Sequence, residues 1–171
     1  MLSRPTTEQI VLDCRAELLS TIDAAVTDPA VKIAIQMMEN VLRNCAERAA
    51  HEIAWMREEA DAMIAFAQRV RAVSTITDAA RAEIDTTLDA FGSGRSDSLH
   101  LDDMTATYHL AGVCMSAALE AAMASGDSAL QVAGREVLQL RLAHEQAIMG
   151  EWSFVGALVP ANIPRPPTSV A

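Results

Sequence analysis

Residues 28–73 read DPAVKIAIQMMENVLRNCAERAAHEIAWMREEADAMIAFAQRVRAV, and between Pro29 and Gly92 the chain contains neither Gly nor Pro. Asp28 is a strong N-cap residue, and Pro29 suits the first helical position, where its missing N–H would be unpaired in any case. The stretch is dominated by Ala, Met, Glu, Arg and Leu, which lose little on entering a helix. A seven-residue grid places Val31, Ile35, Met38, Leu42, Cys45, Ala49, Glu52, Met56, Glu59, Met63, Phe66, Val70 and Val73 on one seam. The pattern predicts one unusually long helix reaching about Val73 and sets the fold class as all-α.

Working outward, Thr6 with Gln9 three residues on has the form of a capping box for a first helix whose stripe is Val11, Cys14, Leu18, Ile22 and Ala25. Thr77 and Asp78 start a third helix expected to stop at the Gly92-Ser93-Gly94 turn, followed by a polar loop through Ser98. Asp102 or Asp103 is expected to cap a fourth helix ending near Gly126, and Ser128 a fifth reaching about Leu158. Pro160, Pro164, Pro166 and Pro167 then forbid further helix. The expectation is a bundle of about five helices over 1–158 with an extended Pro-rich tail over 159–171. One internal echo is present: Ala50-His51-Glu52-Ile53-Ala54-Trp55-Met56-Arg57-Glu58 against Ala143-His144-Glu145-Gln146-Ala147-Ile148-Met149-Gly150-Glu151, with six of the nine positions alike.

The 171 residues carry 13 Lys+Arg against 23 Asp+Glu, a formal charge of −10, and only one lysine, Lys32. There is no basic stripe to neutralise phosphates, and with 4% aromatic residues no platform on which bases would stack, so nucleic acid is excluded as the expected partner. No run approaches the roughly 20 apolar residues of a membrane span, and Met1–Thr7 lacks a signal-peptide apolar region, so the expected location is cytoplasmic. Cys14, Cys45 and Cys114 are odd in number and lie in apolar stretches, where cysteine acts as a small hydrophobe in its reduced form.

The same grid on helix five gives Leu130, Ala133, Val137, Leu140, His144, Ala147, Glu151, Phe154 and Leu158. Each long seam is thus interrupted by two polar groups one heptad apart, Glu52 with Glu59 and His144 with Glu151. If the seams face each other, three carboxylates and an imidazole converge, and desolvation demands a metal, a shared proton or arginines. A carboxylate-histidine metal site of the ferritin-like kind would hold iron, manganese or zinc at Glu52, Glu59, His144 and Glu151, although the Glu-x-x-His spacing of such bundles is missing. In the alternative without metal or cofactor, helix two outruns its partners and exposes Glu52 and Glu59, His144 is a hydrogen-bonded core residue, and Glu151 meets Arg57 or Arg141. His100 and His109 flank Asp102 and Asp103, and Cys114 with His109 is the one pairing of nucleophile and base type, with no third group to orient it. The methionines read as core filler; a cavity between helices two, four and five would instead mark a carrier of an apolar small molecule.

The start Arg4-Pro5-Thr6-Thr7-Glu8-Gln9-Ile10, the turn at Asp28-Pro29 and the helix Lys32-Ile33-Ala34-Ile35-Gln36-Met37-Met38-Glu39-Asn40-Val41-Leu42 resemble, over about the first 70 residues, a small all-helical bacterial family encoded beside aminoglycoside-phosphotransferase-like kinases and acyl-CoA dehydrogenases. The resemblance implies an accessory subunit of an acyl-CoA-metabolism kinase and carries no catalytic motif. The resulting functional expectation is a non-catalytic helical interaction protein, paired as a homodimer because long apolar helices in a short chain leave a stripe for a neighbour. The alternatives are the metal-dependent bundle enzyme and the apolar-ligand carrier.

Overall fold

The computed structural model describes residues 4–150. Glu151, the rest of the stretch to 158 and the tail expected over 159–171 lie outside the described residues. Five α-helices and no strands make up the described chain. α1 spans Thr7–Glu17 and opens on the anticipated capping box: the Gln9 N–H donates to Thr6 Oγ1 at 3.2 Å, and the Thr6 N–H donates to Gln9 Oε1 at 2.9 Å. It runs on into a π-helical turn at Leu18–Asp23. There the wider i→i+5 pairing rotates the chain less per residue, and Ile22 is left 47% exposed while Leu18 is buried.

α2 spans Pro29–Ala72, 44 residues without a break, with the Asp28 carboxylate accepting from the Ala30 N–H. α3, Asp78–Gly94, is capped by Thr77 and continues through the glycines where a stop is expected. Gly at an interior position costs about 1 kcal/mol, and the buried Phe91 ring anchors that last turn against the core. α4, Leu101–Ser125, starts two or three residues earlier than an Asp102 or Asp103 cap would place it. His100 is the N-cap without a side-chain bond, and the two aspartates sit in the first turn, where the helix dipole favours them. α5, Ser128–Met149, is capped by Asp127 rather than Ser128, its carboxylate accepting from the Ala129 and Leu130 N–H groups. It closes at Met149, short of the expected Leu158, because Gly150 turns to φ 62° and bonds back to the Gln146 carbonyl.

α2 and α4 form the centre of the body; α3 lies against α4 and the edge of α2, α5 lies against α2 and α4, and α3 and α5 do not touch. α4 takes the central place because Ala111, Cys114, Ala118 and Ala122 are small and fully buried, so neighbours approach it on more than one side. Met63, Phe66 and Val70 of α2, Ile84 of α3 and Leu130 of α5 complete the core. α5 comes close at Gly134, where an added Cβ would stand 2.8 Å from Leu119 Cδ2 and 3.1 Å from Phe66 Cζ.

The first half of α2 lies outside this body. Among the described elements α1 touches only α2 and the π-turn that follows it, so residues 7–45 form a helical hairpin. Leu18 and Ile35 are its buried side chains, with Ala46 buried just beyond it, and Arg15–Glu39 at 2.6 Å and Lys32–Asp23 at 3.1 Å tie one flank. The other flank of α2 carries Val31, Ala34, Met38, Val41 and Cys45, all exposed. The single seam expected along α2 is therefore divided: the described chain covers Met63, Phe66 and Val70, and it leaves Val31 and Met38 uncovered.

Candidate functional site

α2 and α5 pack against each other and run antiparallel, since Phe66 sits beside Gly134, Glu59 meets His144, and Arg43 reaches the Met149 carbonyl at 2.8 Å. This adjacency brings together two of the four residues singled out on the seams. Glu59 is buried at 7% exposure, and its Oε1 lies 2.7 Å from His144 Nδ1. The carboxylate is held from two further sides. The Tyr108 hydroxyl of α4 donates to Oε2 at 2.5 Å, and Arg141 Nε, one turn before His144 on α5, donates to the Tyr108 oxygen at 3.0 Å and stands 3.6 Å from Oε2. The buried charge thus has three partners, as desolvation requires. Glu59 is not exposed by an overlong helix; it is the node joining three helices.

His144 is oriented as tightly as the carboxylate. Its Nε2 faces Glu58 Oε2 at 3.7 Å, and its ring stacks on Trp55 with centroids 4.7 Å apart and planes 9° from parallel. The other indole face is covered by His51, one turn earlier on α2, at 4.6 Å. The two His-Glu dipeptides of the internal echo, His51-Glu52 and His144-Glu145, therefore flank one tryptophan.

Glu52 is held by Arg48 at 2.6 Å and makes no hydrogen bond or ion pair with Glu59 or His144. Glu151 lies outside the described residues. Among the described residues no three His, Cys, Asp or Glu side chains are grouped so as to hold a metal ion. Both Glu59 oxygens are directed at protein donors, so Glu59, His144, Tyr108 and Arg141 compose a hydrogen-bonded network.

Tyr108 is the chain's single tyrosine. Its phenol is pushed up to about 12, first by burial, then by the hydrogen bond to Glu59 and by that carboxylate's charge, with Arg141 pulling the other way. It acts at neutral pH as a hydrogen-bond donor and not as a base. Elsewhere, burial pushes the Cys114 thiol up against an opposing hydrogen bond from Thr87, the wrong direction for a nucleophile, and His109 is exposed. His100 is the N-cap of α4.

Seam arithmetic identified Glu59 and His144 and missed Tyr108 and Trp55 as their partners. The available signals were the i, i+3 spacing of Arg141 and His144, the i, i+4 spacing of His51 and Trp55, and a lone tyrosine on an otherwise small-residue helix. Beside the network lies a cleft of about 310 Å³ between α2, α4 and α5, with Met56, Leu101 and Ile148 among its walls. No helix of the described residues is long and apolar enough to cross a membrane. No protein-family model, curated protein or solved structure matches the chain.

Proposed function

We propose that this chain is a non-catalytic helical interaction protein that pairs with a second copy of itself through the free flank of its N-terminal hairpin. The observation that carries the reading is the run Val31, Ala34, Met38, Val41 and Cys45, spaced alternately by three and four residues and left exposed along its whole length by the described residues, with Val41 at 60%. Scattered surface hydrophobes are ordinary, but a continuous stripe at this spacing is the pattern of a helix–helix seam. A two-helix hairpin buries little by itself; two hairpins laid together form a four-helix bundle with a shared core.

The pairing is antiparallel and two-fold. The body begins at the C-terminal end of the stripe, where α5 reaches Arg43. Antiparallel hairpins carry their bodies at opposite ends, whereas parallel ones would crowd both bodies at the same end. With the axis at Met38, Val31 of one copy lies against Cys45 of the other, and apolar residues meet apolar residues throughout. The resemblance of the first 70 or so residues to the kinase-associated family supports an acyl-CoA-metabolism kinase as the further partner of such a dimer, to be sought by co-purification from the native host.

Sedimentation equilibrium tests the reading. The wild type is expected as a dimer, and Met38→Glu and Val41→Glu are each expected to weaken association by at least about tenfold, since a buried carboxylate must be desolvated without a partner. A monomer at all concentrations, or a dimer indifferent to both substitutions, would overturn it.

A further inference from the structure

We propose that the cleft between α2, α4 and α5 binds a small primary amine with an apolar body, its ammonium group directed at the acidic wall formed by Glu59 and Glu145. The site is separate from the hairpin flank and independent of the pairing proposed above. Four observations carry it: volume, wall chemistry, charge and the state of the aromatic rings.

The cleft holds about 310 Å³, at the small end of the range for ligand pockets, which fits a body of one ring or a short chain. Met56, Leu101 and Ile148 provide an apolar wall from three different helices. Burying such a body there removes apolar surface on both sides from water.

Charge selects the head group. Arg48 and Glu52 at the rim neutralise each other at 2.6 Å, and Arg141 offsets Glu59. Glu145, also on the wall, makes no ion pair with another described residue, and the molecule as a whole carries −10. Each carboxylate oxygen has two lone pairs, so Glu59 keeps acceptor capacity after receiving Tyr108 and His144. An anion entering this cleft would meet the unbalanced Glu145 carboxylate, whereas an ammonium would pair with it.

The aromatic rings decide between kinds of cation. Both faces of Trp55 are covered, by His51 and His144, and the Arg141 guanidinium lies over the Tyr108 ring at 5.8 Å. Among the described residues, neither face of the Trp55 indole is open to cage a quaternary ammonium, whose recognition depends on such faces. A head group with N–H bonds to donate is the one the walls serve. The buried Glu59 network is then more than a structural joint: a paired charge in the interior contributes little net stability, and holding an acceptor at a cleft floor is a use for it.

The test is a matched pair of probes with one apolar body and opposite heads, phenethylamine and phenylacetate, titrated into the full-length protein by NMR with methyl-labelled methionine. Phenethylamine is expected to shift the Met56 methyl and the Trp55 indole signals saturably and to bind at least tenfold tighter than phenylacetate. Glu145→Gln should weaken phenethylamine at least threefold. Thr105→Trp, which fills the cleft from an exposed position on α4, should abolish the shifts while the Met63 methyl of the core keeps its position. Absence of saturable shifts at Met56, equal or tighter binding of phenylacetate, or binding undiminished in Thr105→Trp would overturn the proposal.

Discussion

Glu59 shows how a single charged residue comes to be tolerated inside an apolar bundle. Its two oxygens are satisfied by Tyr108 and His144, with Arg141 bridging to both tyrosine and carboxylate. Glu59→Ala strands these donors and is expected to cost about 1–3 kcal/mol in urea unfolding. The lone tyrosine offers a direct reading of the network. Its raised value means that the folded chain holds the phenolic proton where the unfolded chain has released it. The stabilising contribution is therefore complete below pH 10 and is lost as the pH rises towards 12. Phenolate absorbance of the folded protein should have its midpoint near 12, and Glu59→Gln should lower that midpoint while leaving it above 10, since burial remains. A midpoint at 10 with native helical circular dichroism would count against the network.

At the scale of the element, the helices are set by caps and by what each face meets. α4 owes its central position to its small buried residues, and α5 is drawn in by Gly134. Gly134→Val places methyl groups against Leu119 and Phe66 and is expected to destabilise by about 1–3 kcal/mol in denaturant titration, overpacking outweighing the propensity lost by glycine. Met63→Ala, at a position with no exposure, should cost about 2–5 kcal/mol through the cavity it leaves. The helices themselves were legible from the sequence because capping and periodicity act within a turn or two: Thr6, Asp28 and Thr77 all cap as read. Boundaries went astray where two good candidates adjoin, as at Asp127 and Ser128, or where burial of Phe91 outweighs the glycines beside it.

At the scale of the whole molecule, the described residues join a helical body to a two-helix arm that buries one flank and leaves the other exposed. In the antiparallel pairing, Val31→Cys is expected to be linked to native Cys45 of a second copy by a short bifunctional maleimide. That link should disappear in a Cys45→Ser background; a Cys45–Cys45 link in the wild type would indicate parallel chains instead. The candidate site was half legible at this scale. Glu59 and His144 stood out as polar breaks in apolar seams, while Tyr108 and Trp55 enter only because α4 packs on α2 and because α5 lays His144 on the indole.

Composition, caps and spacing determined on their own that the chain is all-helical, where most helices begin, and that one unusually long helix runs from Pro29 to about Val73, found as Pro29–Ala72. These are decisions of local backbone chemistry, made among residues a few positions apart. The tertiary structure alone decided that α2 and α4 are the central pair, that the α2 seam is covered at Met63, Phe66 and Val70 and left open by the described residues at Val31 and Met38, and that Glu59 is buried among donors from α4 and α5. Those outcomes depend on which helix surfaces are small enough to approach one another, a property of pairs of elements far apart in the chain, which no single stretch of sequence contains.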